Sequence, residues 1–236
     1  MKKIVYFGLI FFFTITPYAQ EIRTENNGNL ILEDVPAIPQ SIKDDLKRYQ
    51  NVRSASFRGF HNENEGLYIS TRFGNVSQLH YVQSPGAARN QVTYFQEPIG
   101  SVATHPTDQS IIFTMDKGGT ENAQIYMLDT SDASAKLLSD GKSRNGGPLW
   151  STDGEKIAFQ STKRNGRSND IWIMNVMNTE EAQMVLESPD GTWWGASDWT
   201  ENDKTILVQN YISITDSKIY LVDVETQKKQ LILGKE

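Results

Sequence analysis

The chain contains no cysteine and three histidines in 236 residues. Without cysteine there is no disulfide, no thiolate nucleophile, no thiolate metal site and no lipidated thiol. The histidines His61, His80 and His105 have no metal-ligand spacing to one another, so no metal and no other cofactor is expected. Positive charge is also thin. The net charge is −6 and no basic block occurs, which argues against nucleic acid and against an anionic membrane surface as partners. Stability has to come from an apolar core, and a chain of about 200 residues can supply one.

A long apolar run occurs once, at the start. Lys2 and Lys3 precede an apolar stretch over 4–16, and Ala19 closes a plausible cleavage site. This pattern predicts a signal peptide over 1–19, with Pro17 leaving the cut itself uncertain. An uncleaved membrane anchor is the alternative, but the run is short for a span and no Lys or Arg flanks its far end. Loss of Lys2 and Lys3 takes the net charge from −6 to −8. The expected product is an exported protein, periplasmic or secreted, with no stable membrane span after cleavage.

What the chain does have is a repeat. Gln124-Ile125-Tyr126-Met127-Leu128 returns as Asp170-Ile171-Trp172-Ile173-Met174 and as Lys218-Ile219-Tyr220-Leu221-Val222, with a weaker copy at Gln78-Leu79-His80-Tyr81-Val82. The steps between Leu79, Ile125, Ile171 and Ile219 are 46, 46 and 48 residues. A fixed period in this range marks stacked supersecondary units, none able to bury its apolar face alone. Each copy follows another β-branched strand, at 66–71, 110–115, 156–161 and 205–210. A strand ending at Phe60, Thr104, Trp150 or Trp199 comes before, and a fourth candidate at 91–95, 135–138, 183–186 or 229–233 comes after. Four strands in about 45 residues is the pattern of a β-propeller blade. The fold class expected is all-β, with four antiparallel blades at about 52–95, 96–140, 144–188 and 193–233, over a propeller region of 52–236.

The turn between the first two strands of a unit is the most diagnostic part. Trp150-Ser151-Thr152-Asp153-Gly154 recurs as His105-Pro106-Thr107-Asp108, as Trp199-Thr200-Glu201-Asn202-Asp203 and, less closely, as Phe60-His61-Asn62-Glu63. Asp can accept bonds from nearby amides there, and Gly supplies a positive φ. The Trp is expected at the seam between blades. Ahead of the repeat, 20–51 forms an extension: 29–32 reads as a strand that closes a ring or covers an edge. Ile42, Leu46 and Tyr49 are spaced for a short helix over 41–49 that packs on the propeller.

Trp150-Ser151-Thr152-Asp153-Gly154-Glu155-Lys156-Ile157-Ala158-Phe159, followed by Asp170-Ile171-Trp172-Ile173-Met174, resembles the TolB-type, WD-repeat-like propeller repeat. Asn51-Val52-Arg53-Ser54-Ala55-Ser56-Phe57, Thr71-Arg72-Phe73-Gly74-Asn75 and Asp140-Gly141-Lys142-Ser143-Arg144-Asn145 are similar to the propeller of exported prolyl oligopeptidase family serine peptidases. That resemblance spans about 35–233. It implies a propeller over an α/β-hydrolase domain, filtering peptides by size and helping to hold their amino terminus. The 236 residues carry four units and no hydrolase stretch, so an incomplete ring is expected. Its end blades should expose seam residues, and the chain should then self-associate.

An α/β-hydrolase needs Gly-x-Ser-x-Gly, and Gly195-Ala196-Ser197-Asp198-Trp199 lacks the second Gly and sits in a strand position. Glu63, Glu65, Asp116 and Glu121 suit either a central channel or solvated turns, with solvated turns preferred. Lys163-Arg164-Asn165-Gly166-Arg167 reads as a solvated hairpin tip. Trp193-Trp194 suits a stacking platform or, better, a seam contact. No catalytic residue is assigned. Two function classes follow: a non-catalytic propeller portion of a prolyl oligopeptidase-like peptidase, and a stand-alone TolB-like binding propeller with a peptide, protein or carbohydrate partner.

Overall fold

A computed structural model describes residues 21–62, 65–189 and 191–235; the expected signal peptide lies outside them. The first described strands, β1 (Ile22–Glu25) and β2 (Leu30–Glu33), pair with each other as a two-stranded sheet. The strand expected at 29–32 therefore exists but joins no blade. It meets the propeller at Asn29, whose side-chain amide donates to the Gly118 carbonyl at 2.7 Å. Helix α1 (Gln40–Gln50) forms where the spacing predicts one, yet every residue of it is exposed. The stripe Ile42, Leu46 and Tyr49 is not packed on the propeller as expected. The side chain of Arg72 does reach across to donate to the Gln50 carbonyl.

Four antiparallel sheets follow, each an up-and-down meander. The first blade holds β3 (Ser56–Phe60), β4 (Leu67–Thr71), β5 (Gln78–Val82) and the short β6 (Asn90–Gln91). The second holds β7 (Ile99–Thr104), β8 (Ile111–Met115), β9 (Gln124–Leu128) and β10 (Ala135–Leu137). The third holds β11 (Asn145–Trp150), β12 (Lys156–Ser161), β13 (Asp170–Asn175) and β14 (Gln183–Leu186). The fourth holds β15 (Trp193–Trp199), β16 (Thr205–Ser213), β17 (Asp216–Asp223) and β18 (Lys229–Leu233). The architecture is a partial β-propeller. The first strands β3, β7, β11 and β15 lie side by side, and the contacts run from each blade to the next. Among the described residues, no strand of the fourth blade packs along one of the first.

Strand alternation gives every blade two faces, a leading face toward the blade before it and a trailing face toward the blade after. Both are apolar in the middle blades, because each is roofed by a neighbour. Ile157, Phe159 and Met174 of the third blade point back to Ile112, Ile125 and Leu138 of the second. Ala158, Ile171 and Ile173 point forward to Trp194, Ile206, Val208 and Tyr220 of the fourth. The first seam joins Tyr68 and Leu79 to Ile111, Phe113 and Leu128. Each such fully buried aliphatic side chain stabilises by about 1.5–3 kcal/mol relative to exposure. The core is thus three slabs between sheets.

Candidate functional site: the turn belt and the free blade faces

The turns between first and second strands form a belt that ties each blade to its neighbour. In the third blade, Asp153 accepts from the Ser151 hydroxyl at 2.6 Å and the Glu155 amide at 2.9 Å, and Gly154 takes φ +75°. The Ser151 hydroxyl, more than any other group, holds the Asp153 carboxyl below the usual carboxylate range. Between blades the chemistry differs from seam to seam. The Asn62 side-chain amide donates to the carbonyls of His105 and Asp108. The Nδ1 of His105 accepts from the amides of Thr107 and Asp108, so its proton sits on Nε2, which donates to the Gly154 carbonyl at 3.1 Å. From the other side, Asp203 accepts from the amides of Thr152 and Asp153 at 2.7 and 2.9 Å. The two seam tryptophans complete the tie. Trp150 Nε1 donates back to the Ala103 carbonyl and Trp199 Nε1 to that of Leu149.

A second repeated lock sits at the start of the third strand. The side-chain oxygen of Gln78 accepts from Thr93 Oγ1 and the Phe95 amide, and that of Gln124 accepts from Ser139 Oγ and the Gly141 amide. Asp170 plays this part in the third blade by accepting the Ser188 amide, and it is also held by Arg164 at 2.8 and 3.0 Å. Residues 163–167 are exposed, as expected of a hairpin tip, but Arg164 is also tied down. It bridges Asp170, Glu187 and the Ser188 carbonyl.

The other candidates fall at separate places. Ser197 occupies the bulge in β15 between Ala196 and Asp198, within a strand and not at a strand-to-helix turn. His61 stacks on Tyr68 and tilts against Tyr81. Asp116 closes its own loop by accepting from the Lys117 and Glu121 amides and the Thr120 hydroxyl. Partial burial works to raise its pKa, but those donors win and hold it low. Glu65 and Glu121 are exposed, and Glu63 lies outside the described residues. Trp193 and Trp194 split. Trp194 is buried in the seam, where the Gln160 amide donates to its carbonyl, while Trp193 is on the opposite face and 42% exposed. Among the described residues, no cluster of three His, Asp or Glu is placed to hold a metal ion.

Among the described residues, no blade packs on the trailing face of the fourth blade. Its register places Leu207 beside Leu221, Gln209 beside Ile219 and Tyr211 beside Trp193. These positions match Ala158, Ile173, Gln160 and Ile171 of the third blade, where the next blade covers them. The sequence shows this stripe but cannot show that it is uncovered, since a free face and a roofed one alternate alike. The leading face of the first blade has no blade before it among the described residues; Phe57 and Phe60 there are in contact and exposed, while Ile69 and His80 on the same face are buried.

No family model and no curated protein matches the chain. Solved structures do. A prolyl endopeptidase is similar with a TM-score of 0.61 at 11% identity, over 95% of this chain and 40% of that one. TolB from Acinetobacter baumannii gives 0.61 at 13%, over 92% and 53%. A provisionally assigned TolB from Agrobacterium tumefaciens gives 0.60 at 16%, over 92% and 82%. The fold is therefore that of the TolB and prolyl endopeptidase propellers, as the repeat resemblance implies. The chain spans well under two thirds of the first two structures.

Proposed function

We propose that this chain is the non-catalytic propeller portion of an exported, prolyl oligopeptidase-like serine peptidase architecture, gating and holding peptide beside a hydrolase domain that these residues do not encode. The observation that carries the reading is the unpartnered trailing face of the fourth blade. Leu207, Ile219 and Leu221 hold the positions that the third blade buries under its neighbour. An uncovered stripe of that kind suits further protein. No helix among the described residues is long and apolar enough to cross a membrane.

The test pairs two measurements on the purified chain. Aminoacyl and dipeptidyl chromogenic substrates should not be turned over, and turnover lost in Ser197→Ala would overturn the non-catalytic assignment. Sizing with light scattering should show self-association that Leu221→Glu reduces. A second reading rests on the 82% of the Agrobacterium tumefaciens TolB that the chain spans. On that reading it is a stand-alone TolB-like binding propeller, and a sharp monomer peak with cooperative melting would favour it.

A further inference from the structure

The first blade carries an unusual histidine. His80 stands where the other blades carry Tyr126, Trp172 and Tyr220, on the leading face, and it is 1% exposed. Its Nδ1 lies 3.0 Å from the Gln78 carbonyl. A carbonyl only accepts, so Nδ1 carries the proton and Nε2 is left as a lone-pair acceptor. That Nε2 is buried and has no hydrogen-bond partner. Burial pushes the His80 pKa down, which favours the neutral ring. A buried acceptor with no donor is costly, of the order of 1–3 kcal/mol. At this position in the third blade Trp172 also leaves a buried ring nitrogen without a partner, but that Nε1 is a donor, whereas His80 Nε2 is an acceptor.

His80 lines a cleft of about 260 Å³ at the end of this face. Two exposed aromatic rings border it: Tyr94, and Phe73, which tilts over His80 at 5.3 Å and has Arg53 5.6 Å from its ring. Four residues with amide side chains line it, Asn75, Gln78, Gln91 and Gln96, of which Gln78 and Gln91 already donate to backbone carbonyls. No carboxylate, lysine or arginine lines it. A ligand suited to this lining is uncharged, carries hydroxyl donors for a buried acceptor and presents an apolar face to a ring; charges close by are Arg53 beside Phe73 and Arg89, which acts on His80. A single pyranose unit has all three properties, and its size suits a cleft at the small end of ligand sites. We infer that the cleft under the 73–76 turn binds one neutral sugar residue, with Tyr94 as its stacking platform and, once the Phe73 ring tilted over it swings aside, His80 Nε2 accepting from a ring hydroxyl. The site is separate from the fourth-blade surface and does not depend on the peptidase reading.

The test titrates the ¹⁵N-labelled chain with methyl glycosides of glucose, galactose and mannose and with N-acetylglucosamine, reading the His80 Nε2 resonance. At least one sugar should move that resonance to lower frequency, the direction expected when a lone pair accepts a hydrogen bond. The dissociation constant should be about 1 mM or tighter. Tyr94→Ala, a change at an exposed ring, should weaken binding by about threefold to tenfold. His80→Phe, which removes the lone acceptor, should melt at or above the parent and lose the sugar-induced shift of the Tyr94 backbone amide resonance. No movement with any of the sugars, or movement unaffected by Tyr94→Ala, would overturn the proposal. So would movement caused by a neutral peptide amide and by no sugar, which would assign the cleft to peptide.

Discussion

The third and fourth blades carry the same strand motif, and they meet opposite fates. Ile171 in the third blade is completely buried because the fourth blade roofs it, whereas its counterpart Ile219 is half-buried on a face with nothing against it. The alternation of side chains is identical. What differs is the neighbour, so burial in a stacked-blade protein belongs to the array and not to the strand.

Paired truncations test this difference most strongly. Ile171→Ala should cost about 2–5 kcal/mol in denaturant unfolding, the range for emptying a packed site, while Ile219→Ala should cost about 1 kcal/mol or less. Equal losses would mean that something covers the fourth blade in solution. Next in size is the belt. A methyl group on Gly154 would meet the His105 ring at 2.0 Å, at a φ of +75° that disfavours any side chain. Gly154→Ala should therefore cost about 1–3 kcal/mol by thermal melting. If it proves neutral, the His105 clasp is not formed.

Smaller again is Trp199→Phe, which keeps the ring in the third seam but removes the bond to the Leu149 carbonyl. A loss of about 1 kcal/mol is expected in urea titration. The smallest effect concerns pH and the first blade. The folded pKa of His80 is lowered, so the unfolded chain takes up the proton first as pH falls. Stability present above the ordinary histidine value of 6.5 should decline as pH drops from there toward the folded pKa. His80→Phe should flatten that slope. A slope unchanged by the substitution would show that His80 is not its source.

Much of the architecture was legible because period and alternation are carried by the chain itself. The ends of β3, β7, β11 and β15 at Phe60, Thr104, Trp150 and Trp199 coincide with the sequence expectation, since turn residues follow each one. The hairpin tip beyond Asn210 was missed: Tyr211, Ile212 and Ser213 continue β16 into a projection whose Ile214 is almost wholly exposed. Nothing in the local pattern separates such a tip from a loop. The Arg164 bridge was missed because Asp170 and Glu187 are brought to it by strand pairing. The His80 acceptor was equally hidden, because its loneliness depends on where the Gln78 carbonyl lies. Spacing finds strands, whereas the roles of single polar side chains emerge after the sheets have stacked.

The belt also has a mechanical meaning. Asn62 and His105 reach forward along the arc, Asp203 reaches back, and both of the latter close on the 151–154 turn. The second and third blades are thus riveted from both sides, and the outer blades from one. Under tension applied at the two ends, the array should peel inward and surrender this central pair last. Single-molecule stretching would show it as the final and strongest rupture, weakened when Asp203→Ala removes one rivet.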